Sequence, residues 1–227
     1  MKKSSLLLFF LIICLPAHAQ DVDYGPHGLF FRQPTGFVDS QAISNLLFEQ
    51  TVEQSGLDGV LLKIYLPEDK ALLYADNLLD SITRQVCLYG IKNSQNNVLG
   101  SRAVDLMFTS LYGAYANFST VSDSVRRDRA NLELAMRNAA RNGENLLVDT
   151  LGNDLYQGYL TLISYRMKDD FFLSTVVCTA IVHVADTVVM INTSSIITEG
   201  NISSHTTWAR NTAEVFVEML VSANQNL

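Results

Sequence analysis

Apolar positions along the chain change their spacing several times, and each change predicts an element. Residues 6–15 are apolar without interruption. Residues 29–33 read as a strand stopped by Pro34 and turned at Gly36. In "SQAISNLLFEQTVEQSG", Ile43, Leu46, Leu47 and Gln50–Thr51 fall near helical spacing, and Gly56 and Gly59 end the pattern. "GVLLKIYLP" is almost continuously apolar, with β-branched and aromatic members between Gly59 and Pro67, as a buried strand requires. "PEDKALLYA" places proline and two acids where a first helical turn prefers them, and "ITRQVCLYGI" returns to strand.

The middle of the chain is helical in pattern. From Leu99, apolar residues recur at Ala103, Leu106, Met107, Leu111, Ala114 and Phe118, a period near 3.6. A second helix is expected over about 122–142, with Gly143 as its left-handed stop. Strands are then predicted over 159–167, 171–184 and 187–196, separated by "KDD" and "AD", which describes an antiparallel meander. In the central strand Val176, Cys178, Ala180, Val182 and Val184 alternate onto one face, the core side, and Thr175, Thr179 and His183 onto the other. Trp208, Thr212, Val215, Phe216, Met219 and Ala223 form the stripe of a C-terminal helix, with Ser203 or Ser204 as its cap.

Strands that bracket helices, rather than alternating with them, favour the α+β class. The expected architecture is a single antiparallel β-sheet with helices packed on it, a helical pair mid-chain and a C-terminal amphipathic helix. No repeat or linker divides the chain. Residues 28–227 are therefore read as one domain behind a flexible lead, 20–27.

The N-terminal run fixes an expected address. Lys2 and Lys3 precede it, Pro16 breaks it, and Ala17-His18-Ala19 supplies small residues two places apart, the layout of a secretory signal cleaved after Ala19. Its ten residues would span about 15 Å as a helix, roughly half a hydrocarbon core, too short for a permanent anchor. Cys14 is a poor lipidation site, because bulky Ile12 and Ile13 precede it. The periplasm of a Gram-negative bacterium is the expected destination, with no membrane span in the mature chain.

Charge then narrows the partners. The chain carries 16 Lys and Arg against 23 Asp and Glu, and loss of Lys2 and Lys3 takes the balance from −7 to −9. Nucleic acid is disfavoured, since binding it requires a net basic face, and so is docking on anionic lipid. Two cysteines remain, Cys87 and Cys178; in an oxidising compartment they either pair or pack as separate small hydrophobes.

One stretch carries a resemblance. Phe31-x-x-Pro34-x-Gly36-Phe37 in the first strand, with long antiparallel strands and one amphipathic helix opening near Trp208, resembles the photosystem II extrinsic protein P-like layout. Small bacterial exported proteins share that layout. The resemblance implies an α+β sheet fold and an accessory or docking role, and it carries over no catalytic residue.

Motif chemistry is sparse. The chain has no G-x-S-x-G, H-E-x-x-H, G-x-x-x-x-G-K-[ST] or G-x-G-x-x-G, so no catalytic residue and no cofactor is assigned. His27, His183 and His205 are too scattered for a zinc site, and Asp76, Asn77 and Asp80 lack the order of a calcium loop, so no metal is assigned. Tyr112, Tyr115, Tyr156, Tyr159 and Tyr165 line either a ligand groove or the border of the core. The densest charge is "VRRDRANLELAMRNAARNGEN", where Arg126, Arg137 and Arg141 share one side of a continuous helix and are the candidate binding residues. Guanidinium forks suit an acidic protein or a small anionic ligand; the competing reading is a solvated face held by Glu133–Arg137. The expected function is that of an exported, soluble binding or docking factor of the bacterial envelope. A hydrolase with a scattered site and an immunity protein are the alternatives.

Overall fold

The computed structural model describes residues 20–54, 59–75, 82–92, 97–168, 171–198 and 201–225. The expected signal segment, Gly56, the Asp76–Asn77–Asp80 cluster and two residues of the "KDD" turn lie outside them. The first half of the chain runs β1 (Gln20–Val22), β2 (Leu29–Phe31), β3 (Phe37–Asp39), α1 (Leu46–Gln54), β4 (Gly59–Pro67), α2 (Glu68–Ala75) and β5 (Arg84–Ile91). Then follow α3 (Arg102–Ala114), β6 (Ser119–Thr120), α4 (Asp123–Arg127) and α5 (Arg129–Asn142). The chain closes with β7 (Leu146–Gly152), β8 (Tyr156–Arg166), β9 (Phe172–Val184), β10 (Thr187–Ile196) and α6 (Ile202–Ala223).

The meander β8–β9–β10 is the frame. A two-residue turn closes its last hairpin, with Ala185 and Asp186 both at positive φ (47° and 55°) and Val184 opposite Thr187. Such turns match the twist of the strands they join. Strand β5, from the N-terminal half, pairs antiparallel with β10 from Val189↔Gly90 to Ser195↔Arg84, and this ladder joins the two halves of the chain. The result is an eight-stranded sheet in the order β3-β4-β5-β10-β9-β8-β7-β6.

An α+β architecture is what the structure shows, with two differences from the expected sheet. It is not wholly antiparallel: β6 runs parallel to β7, because the helices α4 and α5 carry the chain back across the sheet end between them. Strands β1 and β2 form a separate two-stranded ribbon. Residues 20–27 are accordingly not a loose lead. Tyr24 is 1 % exposed, and its hydroxyl accepts from the Ile91 amide at 2.5 Å and donates to the Val188 carbonyl at 3.3 Å. Gly90 makes the room, since a Cβ there would lie 2.2 Å from the tyrosine ring.

Helices cover both faces. On one, α5 and α6 pack over Val86, Leu88, Val176, Cys178, Ala180 and Val182, and Phe216 of α6 meets Phe37 edge-on at 5.1 Å. On the other, α1 and α2 lie over Leu61, Ile64, Leu66 and Cys87, while α3 lies over Ile181 and Val188. The alternation expected in β9 is present, but its second side is also interior: Thr175 and Thr179 are buried, and His183 Nε2 donates to the Leu99 carbonyl at 2.6 Å. Among the described residues no helix is long and apolar enough to cross a membrane.

The two-face arrangement rules out the Cys87–Cys178 bridge. Cys87 sits opposite Asn192, which sits opposite Thr179, so Cys178 is one position out of line and faces the other way. The thiols are also two strands apart, about 10 Å. Both are free and buried, and burial pushes each thiol pKa up to about 12.

Candidate functional site

The arginine-rich segment does not fold as one helix. Asp128 takes an extended conformation (φ −103°, ψ 111°) and its carboxylate caps α5, accepting from the Ala130 and Asn131 amides at 2.9 and 3.1 Å. Aspartate is a favoured N-cap because its oxygen satisfies amides that the first turn leaves unpaired. The break puts Arg126 on α4 and leaves Arg137 and Arg141 on α5, so the single-helix face expected for the three does not form. Gly143 ends α5 in the left-handed region, φ 71°, as expected.

Each arginine then finds a different setting. Arg141 lies exposed on the last turn of α5. Arg137 pairs with Glu133 at 2.9 Å across one turn. Glu133 also accepts from the Ile202 amide at 2.9 Å, and from the Ser203 amide and hydroxyl, both at 2.7 Å. It therefore caps α6 from a neighbouring helix. Asn201 is the cap within the chain, its oxygen accepting from the Ser203 amide, where Ser203 or Ser204 was expected. Burial alone would raise the Glu133 pKa, but the hydrogen bonds from Ser203, Arg137 and Ile202 outweigh it and hold it below the ordinary glutamate value.

Arg126 reaches a site that sequence spacing does not foretell. Leu147 of β7 faces Thr161, yet Asp149 faces Leu160, so one extra residue bulges between them. The bulge turns Asp149 onto the side of Leu160, which is the α5–α6 face. There Asp149 Oδ1 accepts from Arg126 Nη1 at 2.5 Å and Oδ2 from Arg210 Nη2, on α6, at 2.6 Å. Arg126 also contacts Asp123 through its second Nη. The hydrogen bond to Asp149 raises the Arg126 pKa further, against the opposing pull of burial.

These two guanidinium groups border a cavity of about 280 Å³. Buried Val148 and Leu160 and half-buried Leu132 form its apolar part; Thr206 and the exposed Thr207 and Asn211 add polar groups. Arg126 Nε and Arg210 Nε are both shielded from solvent and have no hydrogen-bond partner. A buried donor left unpaired costs about 1–3 kcal/mol, so the two arginines that border this cavity are not fully satisfied by the chain itself. A larger hollow, about 650 Å³, lies along the turn from Val22 to Phe30, and among the described residues that one segment supplies its lining.

The remaining candidates are structural. Ser195 Oγ and His205 Nδ1 are 2.8 Å apart, a pairing that suits a nucleophile and its base. Ser195, however, is 0 % exposed and accepts from Arg84 Nε at 3.3 Å, while Arg84 lies over the Trp208 ring at 5.1 Å. The group ties the first turns of α6 to β10. Among the tyrosines, Tyr159 stacks on Phe108 at 4.3 Å and donates to its carbonyl at 2.7 Å, with Tyr115 edge-on at 5.4 Å. These rings fill one another under α3 and form the border of the core. His27 pairs with Asp186, His183 with Leu99 and His205 with Ser195, and no group of three or more metal-ligating side chains gathers among the described residues.

Arg210, Asp149 and the cavity escape sequence reasoning because the three elements that bring them together are far apart in the chain. No protein-family model matches the sequence, and no curated protein matches it.

Proposed function

We propose that the chain is an exported binding or docking factor of the bacterial envelope, and that it recognises an anionic group at the cleft between Arg126 and Arg210. One observation carries this reading: two arginines from different helices share a single carboxylate at the border of one cavity, and each has a shielded Nε–H that no group of the chain accepts from. Guanidinium edges bind carboxylate and phosphate oxygens through paired N–H groups, and the charge makes those bonds about twice as strong as neutral ones.

The charge count supports an anion as the missing partner. Two guanidinium groups face Asp149, itself 23 % exposed, which leaves one positive charge that only Asp123, paired with Arg126, offsets. Asp123 is 74 % exposed, so water and salt screen most of its contribution. The cleft thus replaces the expected Arg126–Arg137–Arg141 surface as the docking site, with an acidic protein or a small anion as its partner. An antiparallel-dominated sheet closed by one long terminal helix fits a photosystem II extrinsic protein P-like accessory role, and a signal cleaved after Ala19 would place it in the periplasm.

The test is affinity capture from the envelope fraction with tagged protein starting at Gln20, wild type against Arg210→Gln. At least one partner retained by the wild type and lost by the variant is the expected result. Identical capture by wild type, Arg210→Gln and Arg126→Gln, all with the same circular dichroism, would remove the cleft from the account.

A further inference from the structure

The shape and charge of the cleft go further than an anion of any kind. Resting on the reading above, we infer that its ligand is a monocarboxylate with a short branched aliphatic tail, of the sort presented by the C-terminal residue of a peptide. Three features select it.

The first is charge. A surplus of one positive charge among Arg126, Arg210 and Asp149 matches a single negative charge. A dianion such as phosphate would leave the cleft net negative, with the Asp149 carboxylate close by and Glu214 one turn along α6 from Arg210. Glu214 accepts from the Tyr156 hydroxyl at 3.4 Å, and burial together with that carboxylate pushes the tyrosine pKa up to about 12.

The second is the lining. Half-buried Leu132, backed by the buried Val148 and Leu160, makes part of the wall beside the guanidinium groups apolar, and no phosphate or sulfate has a part that uses it. A branched aliphatic tail does, because it leaves water for an apolar wall. The third is size. A cavity of about 280 Å³ is smaller than the usual range for whole small-molecule ligands, and it suits one amino-acid residue. Thr207 and Asn211, both exposed, supply hydroxyl and amide groups to its lining.

The experiment titrates ¹⁵N-labelled protein starting at Gln20 with three probes: N-acetyl-leucine, N-acetyl-leucine amide and inorganic phosphate. Heteronuclear NMR detects even millimolar binding. N-acetyl-leucine is expected to saturate, with at least tenfold weaker binding of the amide and of phosphate, and a comparable loss in Arg210→Gln and in the milder Arg210→Lys. Phosphate binding as tightly as N-acetyl-leucine would overturn this inference and leave the anion site standing. Equal binding of N-acetyl-leucine and its amide, or no binding of any probe by a folded protein, would overturn both.

Discussion

Two carboxylates flank α6, and they have opposite fates. Glu133 is finished: two amides, a hydroxyl and a guanidinium converge on it, and its pKa falls accordingly. Asp149 sits two turns further along the helix between two guanidinium groups that keep donors to spare. The first arrangement locks α5 to α6 and has nothing left to offer a ligand. The second holds α4 and α6 against β7 and stays open. The contrast teaches where to look for function in a chain without motifs: at the ion pair whose hydrogen bonds do not close.

If that contrast is right, substitutions at the two carboxylates must separate stability from binding. The largest effect is expected at Glu133→Ala, which takes the acceptor from the part-buried Ile202 amide and Ser203 hydroxyl and leaves the Ser203 amide to Asn201 alone; unfolding stability should fall by about 2–3 kcal/mol in urea titration. Asp149→Asn should cost about 2 kcal/mol, because it removes the counter-charge that part-buried Arg126 and Arg210 share and leaves Arg126 only the exposed Asp123. It should also admit phosphate to the cleft, an effect that no Glu133 variant shares and that isothermal titration would reveal.

A change of pH probes the same difference. Because the folded state lowers the Glu133 pKa, its contribution is complete above the ordinary glutamate range and is lost as pH falls through the lowered value. The acid limb of the wild-type stability curve should therefore flatten in Glu133→Gln. Arg210→Gln should change stability by less than about 1 kcal/mol, as a partly exposed pair allows, yet abolish ligand binding. Arg137→Ala should be smallest, about 0.3–0.5 kcal/mol, since its i, i+4 pair is surface-exposed and Glu133 keeps its other donors.

Local pattern carried the fold a long way. The β9 and β10 segments, the α6 stripe and the Gly143 stop are all near-neighbour properties, readable from alternation, period and a left-handed glycine. The β6–β7 parallel pair was not legible, because two residues of strand leave no periodic trace. Tyr24 was missed for another reason: its burial depends on a glycine 66 positions away. At the site, Arg126 was within reach of sequence reading, and Asp128 could have warned that the helix breaks there. Arg210 and Asp149 carried no such signal, since only a bulge and a distant helix bring them to Arg126.

The most direct test of the unfinished site is to watch its spare donors. In ¹⁵N spectra tuned to arginine side chains, the Nε–H resonances of Arg126 and Arg210 should be visible and protected, and both should shift together on titration with N-acetyl-leucine while the Glu133-paired Arg137 stays still. Nε–H signals of Arg126 and Arg210 that do not move at any ligand concentration, in a protein whose other resonances confirm its fold, would contradict the account.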